Sequence, residues 1–165
     1  MSKMMQYARL TAAELAVLRG LASTDPDAAF DYADEVSSDW PDEAPLAERR
    51  GYGTDVEWAG LRHLLALAGP PPVDLIGGGA ALSADEWAYE PPRLFTPAEV
   101  AAAAAFLRAT PFGALAAHLD PAAMADVYPG GWADSPPDLA GGYRDLVAFV
   151  GGAADAGDSL LVWLT

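Results

Sequence analysis

Cysteine is absent from this chain of 165 residues, and lysine and histidine are scarce. Without cysteine the protein has no disulfide, thiolate nucleophile, iron–sulfur cluster or thiolate zinc site. Its only lysine is Lys3, and its two histidines, His63 and His118, are too far apart in sequence to form a close ligand pair. We therefore predict no metal site and no cofactor.

Long apolar runs and a basic-then-apolar leader are also missing. The longest apolar run, residues 100–107, is much shorter than the roughly 20 residues that a membrane-spanning helix needs. The first ten residues lack the pattern of a signal peptide. We therefore expect a cytoplasmic protein that does not enter a membrane.

Positive charge is in short supply, because nine basic residues face 24 acidic ones and the formal net charge is −15. Such a surface repels phosphate backbones and anionic lipids, which argues against nucleic acid and membrane partners. It attracts cations and basic proteins. Eleven of the acidic residues lie in residues 25–57. This segment either serves a partner or only keeps the protein soluble, and the sequence leaves both alternatives open.

Several helix-start signals are present, and they predict the fold class. Capping boxes occur at residues 11–14, 54–57 and 96–99, and cap-plus-proline pairs at 25–26, 120–121 and 135–136. Apolar spacing predicts helices over residues 11–22, 55–68, 97–107, 112–118, 121–126 and 137–156, a weak helix from residue 25, and an acidic loop beyond residue 41. Strands are expected at residues 4–10, 73–76, 87–95 and 159–164, the last one central. We predict one α+β domain over residues 1–165, with a small mixed sheet of three to four strands packed against several helices.

A catalytic constellation is not recognisable. The pair His118 and Asp120 has no nucleophile in a Gly-x-Ser-x-Gly turn, and His63 is expected to be exposed. The run Gly77–Gly79 follows apolar residues but fits no phosphate-binding spacing, so we interpret it as a flexible turn. We therefore predict no catalytic residue, and an enzyme is the less favoured class.

Two aromatic segments are the candidate binding residues. Both place large rings beside prolines in irregular backbone, and one carries an arginine among carboxylates; the six candidates are Trp87, Tyr89, Arg93, Asp126, Tyr128 and Trp132. These side chains either wall a pocket or form a binding hot spot. Alternatively, the rings close the core and Arg93 satisfies buried acceptors, which is the commoner role for such residues.

With their flanks, these segments resemble the YfbM-like family of bacterial domains of unknown function. The similarity covers nearly the whole chain and is weakest over residues 25–50. The closest local match is 89–100, and the helix around Trp58 and the closing Gly157-Asp158 also fit. The chain departs from the family at Arg62, where a histidine is usual, and at Ala88 and Glu90, where glycines usually flank the tyrosine. The resemblance implies an α+β fold and no reaction.

Three functional hypotheses remain. The leading one is a non-enzymatic protein-binding module with a basic partner, of which an immunity-like protein that neutralises a toxin is one example. The second is a small-molecule binder or enzyme with a pocket between the two aromatic segments, which requires an accessible and unpaired Arg93. The third is a homodimer, which an exposed apolar patch would favour.

Overall fold

A computed structural model of the protein describes residues 2–41 and 43–165. The described chain forms six α-helices, five strands and a short 3-10 helix. The helices are α1 (Ala12–Thr24), α2 (Pro26–Ser38), α3 (Glu57–Ala68), α4 (Pro97–Ala109), α5 (Phe112–Ala116) and α6 (Leu139–Ala156). The strands are β1 (Met5–Leu10), β2 (Gly51–Thr54), β3 (Ala80–Ala81), β4 (Arg93–Phe95) and β5 (Ser159–Leu164), and the 3-10 helix is Leu46–Glu48.

The five strands form one sheet in the order β2-β1-β5-β4-β3, and every neighbouring pair is antiparallel. The α+β prediction is confirmed. The sheet has one or two strands more than expected and contains no parallel pair among the described residues. β5 is central as predicted, and all six of its residues are buried.

Alternation along β5 divides the apolar core between the two faces of the sheet. Leu160, Val162 and Leu164 belong to the larger cluster, which includes side chains from α3, α4 and α6. Leu161 and Trp163 belong to the smaller cluster, which includes side chains from α1 and α2. The sheet therefore separates two helical layers, with α2 on the smaller side.

Two of the predicted capping boxes mark the observed starts of helices. Thr11 caps α1, and Thr96 forms a complete capping box with Glu99 at the start of α4. The third box is wrong, because Thr54 ends β2 and α3 begins at Glu57 without a side-chain cap. The last helix begins two residues later than predicted, since Asp138 caps it by accepting from the Gly141 amide.

Three further expectations differ from the structure. Residues 73–76 form a turn rather than a strand, because the Asp74 carboxylate accepts hydrogen bonds from the backbone amides of Ile76 and Gly77. Residues 121–126 form successive turns rather than a helix. The predicted acidic loop beyond residue 41 contains the 3-10 helix and the edge strand β2. β2 includes Gly51 and Gly53, whose low strand propensity hides it in the sequence.

Candidate functional site

The six predicted binding residues do not surround one pocket. Trp87 and Trp132 are both buried, but Trp87 belongs to the smaller core cluster and Trp132 to the larger one. The sheet therefore lies between the two rings. The Trp132 indole N–H donates to the Val127 carbonyl over 2.8 Å, which fixes this ring as a core residue.

Arg93 is held by protein groups. Its guanidinium donates to the carbonyls of Ile76 at 2.9 Å and Gly78 at 3.3 Å, and it pairs with Glu90 at 2.8 Å. Only 13% of its side chain is exposed. The small-molecule hypothesis in its original form requires an accessible and unpaired Arg93, and this arrangement does not provide one. These contacts also order the predicted glycine turn: the Arg93 guanidinium binds the Ile76 and Gly78 carbonyls, and the Asp74 carboxylate accepts from the Gly77 amide.

The tyrosines of the two segments meet at Lys3. The backbone amide of Lys3 donates to the Tyr128 hydroxyl at 2.7 Å, and its carbonyl accepts from the Trp58 indole at 3.0 Å. Trp58 stacks on Tyr128, and the Lys3 ammonium lies 4.7 Å from the centre of the Tyr89 ring. These contacts tie the start of the chain to the body of the domain. Asp126, the remaining candidate, is exposed and makes no side-chain hydrogen bond within the described part of the chain.

Neither histidine forms a catalytic arrangement. His118 is exposed beyond the end of α5, as is Asp120. His63 was expected to be exposed, and this is wrong: the side chain is half-buried, and its Nε2 atom is enclosed without a hydrogen-bond partner in the structure. Residues 2–41 and 43–165 contain no group of three or more His, Asp or Glu side chains placed to hold a metal ion. No described helix is long and apolar enough to cross a membrane.

Two tyrosines in the larger core layer have hydroxyl groups whose pKa is raised by burial. Tyr7 is fully buried, and burial raises the pKa of its hydroxyl far above the ordinary value. Burial also raises the pKa of Tyr52, whose ring packs between Tyr7 and Phe149. Both hydroxyls therefore keep their protons at physiological pH.

The acidic segment contributes one continuous helix face that the sequence did not clearly predict. α2 carries four exposed carboxylates at helical spacing i, i+4, i+7 and i+8: Asp27, Asp31, Asp34 and Glu35. Residues so spaced lie on the same side of a helix. None of the four forms an ion pair with a cation of the described chain. We call these four residues the acidic face.

A cleft of about 210 Å³ lies beside the acidic face, between the C-terminal half of α2 and the sheet. Asp34 and Phe30 line it from α2, Gln6 from β1 and Trp163 from β5. Trp87, which does not line the cleft, supports its wall: its ring packs edge-on against Phe30 at 5.3 Å and Trp163 at 5.8 Å. Of the six predicted residues, Trp87 is thus the one in contact with the cleft wall.

Two glycines of β2 allow close packing at the cleft, Gly51 against α2 and Gly53 against the Gln6 side chain. A Cβ atom on Gly51 would lie 2.1 Å from the Ser37 carbonyl oxygen, and one on Gly53 would lie 2.9 Å from the Gln6 side chain. Residues with side chains at these positions would displace the end of α2 or the Gln6 amide. The signals that could have located this site were the acidic spacing along α2 and the pair of glycines in β2.

Comparison with known proteins identifies a family and nothing finer. The family model described as "Domain of unknown function (DUF1877)" matches residues 1–163. No curated protein and no solved structure matches the chain. Since the family model covers nearly the whole sequence, this protein belongs to the DUF1877 family of domains of unknown function.

Proposed function

We propose that this protein is a non-enzymatic binding module that presents the acidic face of α2 to a basic protein partner. The observation that carries the proposal is the lack of ion pairs on that face. Like charges three or four residues apart on a helix destabilise it by about 0.2–0.5 kcal/mol per pair. Asp27 and Asp31, Asp31 and Asp34, and Asp31 and Glu35 all have this spacing. A basic partner would turn the unfavourable pairs into favourable contacts.

The surroundings of the acidic face support the proposal. A groove beside the start of α2 is lined by Asp27, Asp31 and Glu86 together with the Phe30 and Trp87 rings. Phe30 is half-buried and Trp87 is buried, so the groove has apolar walls beside exposed carboxylates, and tryptophan is enriched in binding hot spots. The formal net charge of −15 also speeds the approach of a basic protein and disfavours nucleic acid and anionic membranes. An immunity-like protein that neutralises a basic toxin belongs to this class.

The proposal includes a finer assignment. We infer that the chain is a bacterial, YfbM-like member of its family and acts in the cytoplasm. The aromatic segments and the Trp58 helix support the assignment to this group. The lack of cysteine agrees with a reducing compartment.

A charge-matched capture experiment tests the proposed function. The triple variant Asp27→Asn, Asp31→Asn, Glu35→Gln removes three charges from the acidic face and leaves Asp34 unchanged. The control Glu48→Gln, Asp55→Asn, Asp134→Asn removes the same charge from exposed residues elsewhere. Proteins captured from lysate at low salt are identified, purified and measured for affinity against all three forms.

A partner of the proposed kind binds the native protein and the control alike, and loses at least tenfold in affinity with the acidic-face variant. Its binding also weakens as salt rises, because exposed charges are screened within about 10 Å at 0.1 M ionic strength. If every purified partner binds both variants equally, net charge rather than α2 is responsible, and the proposal is refuted. Failure to obtain any salt-sensitive partner at native abundance also contradicts it.

A further inference from the structure

The cleft beside α2 contains polar atoms that lack partners. Trp163 is 3% exposed and lines the cleft, and its indole N–H makes no hydrogen bond in the structure. The Thr165 hydroxyl, also in the cleft lining, is likewise enclosed and unpaired. An unpaired buried donor costs about 1–3 kcal/mol, so native proteins rarely retain one without reason. The indole nitrogen is covered in this structure, so an acceptor brought by a ligand reaches it only when the side chains over it move aside.

Charge in the cleft favours a cation. Asp34 contributes a carboxylate that no cation of the described chain pairs with. The last turn of α2, with Ser37 and Ser38, also borders the cleft, and a helix C-terminus carries partial negative charge. Anions are disfavoured by these groups and by the net charge of the protein.

Aromatic rings in the lining add to the same preference. Phe30 and Trp163 both line the cleft, and ring faces attract ammonium groups by about 0.5–2 kcal/mol. Trp40 is a third ring of the lining, but the guanidinium carbon of Arg49 already lies 5.9 Å from its centre. We therefore assign the cation contact to Phe30 and Trp163.

We propose that this cleft binds a small organic cation that carries a hydrogen-bond acceptor near its ammonium group, as amino alcohols do. The ammonium group pairs with Asp34 against the Phe30 and Trp163 rings, and the acceptor receives the indole N–H of Trp163. The volume of about 210 Å³ equals that of about seven waters, which suits a molecule of this size. The site shares Asp34 with the acidic face but uses none of the three carboxylates changed in the capture experiment, so each proposal can fail without the other.

Two-dimensional ¹H–¹⁵N NMR of the 165-residue chain tests the site through the tryptophan indole signals. Choline and ethanolamine chlorides are the probes, and Trp163→Phe assigns the Trp163 signal. At least one probe is expected to shift that signal saturably, with a millimolar or tighter Kd. The neutral isostere of choline, 3,3-dimethyl-1-butanol, should bind at least tenfold more weakly than choline if choline is the probe that binds. Tetramethylammonium, which lacks the hydroxyl, should also bind more weakly than choline.

Matched variants locate the binding. Asp34→Asn should weaken the affinity about tenfold, whereas Asp27→Asn, on the same helix but outside the cleft, should leave it within twofold. Both residues are exposed, so neither change should unfold the protein. Absence of a saturable Trp163 shift with either probe at 50 mM overturns the proposal. Equal weakening by the two variants overturns it as well, because the cation is then attracted by the acidic surface as a whole.

Discussion

Replacing Gly152 by alanine is expected to destabilise the protein, although alanine is the better helix former. Gly152 lies inside α6, where alanine would gain about 1 kcal/mol from helix propensity. An added Cβ atom, however, would lie 1.9 Å from the carbonyl oxygen of Ala47 and 2.7 Å from its carbonyl carbon. Those atoms are backbone, so the 3-10 helix would have to move away from α6.

The movement would also disturb Arg9. Its guanidinium donates to the Ala47 carbonyl at 2.9 Å and to the buried carboxylate of Asp158 at 2.9 Å. Overfilling a packed contact costs about 1–3 kcal/mol, to which the loss of good geometry at Arg9 adds. After the propensity gain is subtracted, we expect Gly152→Ala to lower the free energy of unfolding by about 1–2 kcal/mol.

Gly20 provides a matched control. It lies in α1, is exposed, and a Cβ atom there would meet nothing within 4 Å. Gly20→Ala should therefore raise the free energy of unfolding by about 0.5–1 kcal/mol from propensity alone. Urea unfolding followed by circular dichroism compares the three proteins, and thermal midpoints should move by about 2–4 °C per kcal/mol in a chain of this size. If Gly152→Ala stabilises the protein as Gly20→Ala does, the packing of α6 on the 3-10 helix is not as described.

Three further predictions concern single side chains. Asp158→Ala leaves the buried Arg9 guanidinium without its carboxylate partner. The free energy of unfolding, measured with urea, should fall by about 3–5 kcal/mol. A decrease below 1 kcal/mol would contradict a buried ion pair. Ala88 has a φ angle of 63°, which strains any residue that carries a Cβ atom. Ala88→Gly should stabilise the protein by about 0.5 kcal/mol, because relief of this strain outweighs the greater conformational entropy of the unfolded chain. Measurable destabilisation would count against this reasoning. Burial raises the pKa of Glu14, but hydrogen bonds from Arg50 and Thr11 outweigh it and hold that pKa below its ordinary value. The stability that ionised Glu14 contributes is therefore present above the ordinary pKa and is lost as pH falls through the lowered pKa. The Glu14→Gln variant should be less stable than the native protein at pH 7, and it should lose less stability than the native protein between about pH 6 and pH 3. Parallel pH profiles of the two proteins would refute this.

Local signals predicted the helices better than the strands. The caps at Thr11 and Thr96 use hydrogen bonds between residues three apart, so the sequence alone contains both partners. β2 and β3 exist because they pair with β1 and β4, and such non-local pairing leaves no periodic pattern in strands of four and two residues. Leu75 and Ile76 are apolar because they fill the core, and a buried turn needs apolar side chains as much as a strand does.

The candidate site was only partly predictable for a similar reason. Trp87 and Trp132 look equivalent in sequence, but they lie in opposite layers, and the course of the loops that carry them is not encoded in a local pattern. The sequence predicts only a weak helix from residue 25. It continues to Ser38, held by burial of Ala29 and Ala33, and this length creates both the acidic face and the cleft.

The residues that carry the family resemblance mostly build the fold. The side chains of Trp58 and Tyr128 form hydrogen bonds with the Lys3 backbone. Arg93 donates to the Ile76 carbonyl, and Asp158 accepts from the buried Arg9 guanidinium. The acidic face, in contrast, lies within residues 25–50, where the resemblance is weakest. Because the acidic face is exposed whereas the fold depends on buried contacts, charge changes on α2 are expected to alter the proposed binding without altering the sheet. Transplanting α2 onto a related domain therefore tests the proposed function, under which affinity for the basic partner moves with α2 and not with the aromatic segments.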